Sequence, residues 1–70
     1  MKKRYIIWFT NRRGAIGHDN LFPDFHIIEA VSLAEAELAA RDGFVVKESQ
    51  HSAPKFIFPS ALLSVAEYKP

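Results

Sequence analysis

Ser32-Leu33-Ala34-Glu35-Ala36-Glu37-Leu38-Ala39-Ala40-Arg41-Asp42-Gly43 is the stretch on which the fold of this 70-residue chain turns. Ser32 followed three residues later by Glu35 has the form of a capping box, in which hydroxyl and carboxylate satisfy the first unpaired amides of a helix. Alanine and glutamate dominate up to Asp42, and Gly43 supplies a left-handed stop. The pattern predicts a helix over residues 33–42. At about 100° per residue, Leu33, Ala36, Ala39 and Ala40 fall within one arc, a small-residue face suited to close packing on a sheet. Leu38 lies among the charged positions outside that arc. It is expected to tuck under the loop before the second strand, the alternative being a solvent-facing leucine that helps dock a partner.

Strand signals flank the helix on both sides. Phe25-His26-Ile27-Ile28-Glu29-Ala30, ending at Val31, leads into it, and Phe44-Val45-Val46-Lys47-Glu48 follows it. Further out, Lys55-Phe56-Ile57-Phe58 reads as another strand, stopped at Pro59. Arg4 to Thr10 is the first strand, with Tyr5, Ile7 and Phe9 on one face and Arg4, Ile6, Trp8 and Thr10 on the other. Both faces are largely apolar, which predicts a central or well-covered strand. Asn11-Arg12-Arg13-Gly14 reads as a turn, and residues 15–23, which include Gly17 and Pro23, as an irregular loop. The tail after Ser60, rich in Leu, Val and Tyr, leans toward a fifth strand. The order ββαββ, with that fifth strand, gives one α+β domain over residues 1–70. In it, one helix packs on one face of a small, mainly antiparallel sheet.

Composition narrows the function. A chain of 49% hydrophobic and 24% charged residues is neither disordered nor fibrous, and it is too short for more than one core. No cysteine is present, so a disulfide scaffold and a thiolate zinc site are excluded. The start lacks a signal-peptide pattern and no apolar run is long enough to span a membrane, so the expectation is a cytoplasmic protein with no membrane partner. The net charge of +1 is uneven: residues 1–18 hold Lys2, Lys3, Arg4, Arg12 and Arg13 without an acid, and the remainder is acidic. A local positive patch at the N-terminal strand is therefore expected.

Catalytic and metal chemistry find little support. His18, His26 and His51 show no ligand spacing, no serine sits in a nucleophile-elbow context, and Glu35 and Glu37 point in different directions on a helix. The expectation is a protein that is not an enzyme and needs no cofactor or metal. Gly14-Ala15-Ile16-Gly17 matches a nucleic-acid clamp motif but not its helical setting. Arg4, Trp8 and Thr10 on one strand face, with Arg12 and Arg13 beyond, would suit stacking and phosphate contact with single-stranded nucleic acid. Tyr5, Trp8 and Phe9 read more simply as core.

Three segments in order, Arg4-Tyr5-Ile6-Ile7, Ile28-Glu29-Ala30 running into Ser32-Leu33-Ala34-Glu35-Ala36, and a strand pair after the helix, give a layout that resembles the type I-F anti-CRISPR proteins. These are small phage-encoded inhibitors. The layout is also similar to the small phage protein that inhibits host RNA polymerase. The chain departs from the anti-CRISPR pattern in its longer first connection, with Pro23, and in its more apolar tail. The resemblance implies a stoichiometric, non-enzymatic inhibitor acting in the host cytoplasm. Its partner would be a protein or ribonucleoprotein complex that handles nucleic acid, the CRISPR surveillance complex first among them. Lys2, Lys3, Arg4, Arg12 and Arg13 would then be electrostatic anchors and Trp8 a stacking or hot-spot residue. Direct nucleic-acid binding and a homodimeric interaction module are the rival readings.

Overall fold

The computed structural model describes residues 1–13, 20–47 and 53–69. Its elements run β1 (Lys3–Arg13), β2 (Asn20–Ala30), α1 (Leu33–Arg41), β3 (Phe44–Val46), β4 (Lys55–Ile57), a 3-10 turn at Pro59–Ala61 and β5 (Leu62–Glu67). This is the α+β class the sequence predicts, and the tail is a strand. A three-stranded antiparallel sheet in the order β2-β1-β5 forms the body. The β3-β4 hairpin does not join it but makes a second, two-stranded sheet.

β1 is central because both of its faces are apolar. One face, Tyr5, Ile7, Phe9 and Asn11, is fully buried. At the N-terminal end of β1, Tyr5 clusters with Ala30 and Ala36, against which Ile28 and Val65 pack. Toward the other end, the Phe44 ring meets Phe9 edge-on at 5.5 Å and stacks on His26 at 5.2 Å. Ile57, paired with Phe44 across the hairpin, is buried as well. Helix and hairpin thus share the task of covering one side of the sheet.

The first two strands are longer than their sequence signals. Asn11, Arg12 and Arg13, read as a turn, continue β1, and residues 20–23, read as loop, belong to β2. Pro23 is accommodated because β2 is an edge strand, where a missing N–H leaves no ladder bond unmade. Asn11 is tolerated at 1% exposure because its side chain is partnered. It donates to Asp24 Oδ2 at 3.1 Å and accepts from Lys55 Nζ at 2.6 Å. Between Trp8 and Phe9 the β1–β5 register shifts, with Trp8 opposite Ser64 and Phe9 opposite Leu62, so Leu63 is an extra residue in a bulge.

The helix starts and stops where its signals stand. The Ser32 hydroxyl accepts from the Glu35 N–H at 3.2 Å, and Gly43 adopts φ 87°. Its packing face is narrower than the predicted arc. Only Ala36 and Ala40 are buried, while Leu33 and Ala39 are exposed. The buried reading of Leu38 is overturned: at 63% exposure it points away from the sheet. It lies about 200° around the helix from Ala36, so packing Ala36 and Ala40 against the sheet turns Leu38 outward.

Candidate functional site

The side of the sheet that neither helix nor hairpin covers is built by strand alternation from Arg4, Ile6, Trp8 and Thr10 of β1. Their cross-strand partners in β2 are Glu29, Ile27, Phe25 and Pro23. On the β5 side Ser64 stands opposite Trp8 and Ala66 opposite Ile6. Tyr68 carries the register one step further, its N–H donating to the Arg4 carbonyl at 2.9 Å. At the centre, Trp8 is 36% exposed and Phe25 53%, and their rings meet at 5.3 Å with a 54° tilt. Ile6 and Ile27 flank this pair half-buried. Trp8 is therefore not core, although Tyr5 and Phe9 are. The strand period of two separates them, and the covered face takes the odd-numbered residues.

Arg4 and Glu29 sit opposite one another in the register and both are exposed. The basic residues of the N-terminal segment are not gathered into one patch. Lys2 is exposed before the strand begins, and Lys3 lies beside Glu67 at 3.8 Å. Arg12 and Arg13 occupy the far end of the β1–β2 ladder, opposite Leu21 and Asn20, with their side chains outside the described residues. Eight strand positions separate Arg4 from Arg12, about 27 Å at the usual rise. The strand therefore strings the candidate anchors along its length, with Trp8 midway.

The backbone edge beside this face is guarded. In β2, Pro23 offers no N–H, and the N–H of Phe25 is taken by Asp24 Oδ1 at 2.8 Å. The middle of the strand therefore presents few donors to an incoming strand, while the apolar side chains on its face stay open.

Sequence reasoning placed Trp8 correctly on the strand but missed its ring partner Phe25. The signal was the alternation of Pro23, Phe25 and Ile27, hidden because Pro23 lay in the stretch read as loop. The GxxG motif at Gly14–Gly17, His18, and the His51-Ser52 pair lie outside the described residues. Among the described residues, no three His, Asp or Glu side chains come together as a metal would need, and no helix is long and apolar enough to cross a membrane. No protein-family model matches the chain, and no curated sequence or solved structure does so either.

Proposed function

We propose that this protein is a non-catalytic, cytoplasmic binding protein that docks on a protein surface through the open face of its three-stranded sheet. The observation that carries the reading is the Trp8–Phe25 pair, partly exposed at the centre of a contiguous apolar surface. Soluble domains seldom leave such a patch uncovered without use, and tryptophan and aromatic neighbours dominate the energetics of protein interfaces. Inhibition of a nucleic-acid-handling complex, which the anti-CRISPR resemblance implies, would proceed by occupying a surface in this way. Lys2, Lys3, Arg4, Arg12 and Arg13 would steer the approach from the two ends of the strand. Nucleic-acid binding is less favoured, because the Arg4 charge is opposed by Glu29 and the centre of the face is apolar.

The test is capture by the tagged chain from native lysate, supplemented with an untagged copy, at two salt concentrations and with or without nuclease. The expected result is a captured protein that resists nuclease and survives the higher salt. Trp8→Glu and Phe25→Glu should each abolish capture, whereas Arg12→Glu with Arg13→Glu should weaken it severalfold at most. Recovery of nucleic acid alone, lost as salt rises, would overturn the reading, because phosphate contacts fail steeply with salt and apolar ones do not.

A further inference from the structure

We infer that the outer edge of β5 pairs with the same edge of a second copy of this chain, antiparallel about a two-fold axis at Ala66. Two three-stranded sheets thereby become one six-stranded sheet. The inference concerns an edge and not the open face, so it does not depend on what docks on that face.

The backbone is the first support. β5 is the outermost strand of its sheet. The Tyr68 N–H donates to the Arg4 carbonyl, so by the alternation of an antiparallel ladder Ala66 and Ser64 also turn their backbone groups toward β1. Val65 and Glu67 turn theirs outward. The strand contains no proline, and Glu67, its single charged residue, comes last. The bulge at Leu63 precedes the regular stretch and leaves it intact. Unpaired N–H and C=O groups in this arrangement are complementary to an extended backbone, and a two-fold axis makes an antiparallel edge complementary to its own copy.

The register and the side chains are the second. With Ala66 on the axis, Val65 of each copy stands opposite Glu67 of the other, and each such pair exchanges both of its N–H···O bonds. The small Ala66 faces its own copy, and no Glu67 meets another. Val65 and Glu67 lie on the helix-covered face, opposite Ile7 and Tyr5 of β1. A groove of about 210 Å³ opens there, between Leu62–Val65 of β5 and Glu37 and Arg41 of α1. The register brings the partner's Glu67 to the mouth of this groove, where Arg41 supplies the opposite charge. Arg41 is exposed and has no ion-pair partner among the described residues. The contact of Glu67 with Lys3 at 3.8 Å joins two exposed groups, which hold one another weakly.

The third support is closure. Strand addition along β2 meets Pro23 and the Phe25 N–H already bonded to Asp24. β3 and β4 are three residues long each. Blocked and short edges discourage pairing, so a chain that has used its β5 edge stops at two copies.

Sedimentation equilibrium of the full chain from about 1 μM to about 1 mM covers interfaces of about −8 to −4 kcal/mol. The mass should rise toward twice 7.9 kDa and stop there. Over the same range the Val65 and Glu67 amides should exchange with solvent more slowly. Arg41→Glu should raise the dissociation constant about tenfold, since symmetry reverses two contacts. Glu67→Arg added to Arg41→Glu should restore it. Both positions are exposed, and the exchange of the wild-type amides tests the edge without either variant.

A chain that stays monomeric throughout overturns the inference, as does growth beyond two copies. So does a dimer whose Val65 and Glu67 amides exchange as in the monomer, or one that Arg41→Glu leaves unchanged or the charge swap fails to restore. Trp8→Glu should dimerise like wild type. In the capture experiment it should still recover the untagged copy while losing the docked protein, so the failure of either reading is seen apart from the other.

Discussion

At Gly43 two constraints meet on one residue. Its φ of 87° lies where side-chain-bearing residues are strained. A Cβ added there would also clash with the tip of the Phe56 ring. Gly43→Ala should therefore lower stability by about 1–2 kcal/mol from backbone strain alone, with a further steric part that depends on how easily the ring moves. Phe56 is partly exposed and can swing outward, losing its edge contact with Phe58 at 4.8 Å. Chemical denaturation of Gly43→Ala with and without Phe56→Ala separates the two. The strain part should persist in the double variant and the steric part should vanish. Equal stability of Gly43→Ala and wild type would mean that the helix does not end in the conformation described.

Among the elements, the helix shows how far a sequence pattern reaches. Its start, its end and the strands on either side were legible, because capping and stop residues act locally and their chemistry does not depend on the rest of the fold. Which side of it packs was legible only in part. Ala36 and Ala40 sit at zero exposure, whereas Leu33, equally well placed by angle, is exposed in the first turn. Ala40→Leu should overfill the contact and cost about 1–3 kcal/mol, while Leu38→Ala should change stability by no more than about 0.5 kcal/mol. Thermal unfolding of the two variants checks both. The reverse order would restore the buried reading of Leu38. The ends of β1 and β2 escaped the sequence for a different reason. Asn11, Pro23 and Asp24 are turn formers by type, and only the side-chain bonds among Asn11, Asp24 and Lys55, together with the edge position of β2, let them be strand. Most of the candidate face was read as strand, with only Pro23 in the stretch read as loop, but the register that brings Trp8 to Phe25 is set by the pairing of β1 with β2 and not by either segment alone.

The molecule as a whole is elongated, 44 × 25 × 24 Å, with a radius of gyration of 13.0 Å against about 11 Å for a compact chain of this length. So small a body has little apolar burial of its own to hold it, and a partner that binds only the folded form should add to its stability. One more consequence follows from the buried Asn11. Tyr5, Ile7 and Phe9 on one side of β1 and Ile6 and Trp8 on the other are nearly equivalent in hydrophobicity, so water alone hardly distinguishes the right-side-out strand from its inverted twin. A slip by one residue would exchange the two sets, putting Trp8 under the helix and Phe9 outside. Such a slip would also carry Asn11 away from Asp24 and Lys55, forfeiting two side-chain hydrogen bonds worth about 0.5–1.5 kcal/mol each. An amide that adds little to the strength of the core acts as its key, selecting which of two almost interchangeable faces the protein shows to the world.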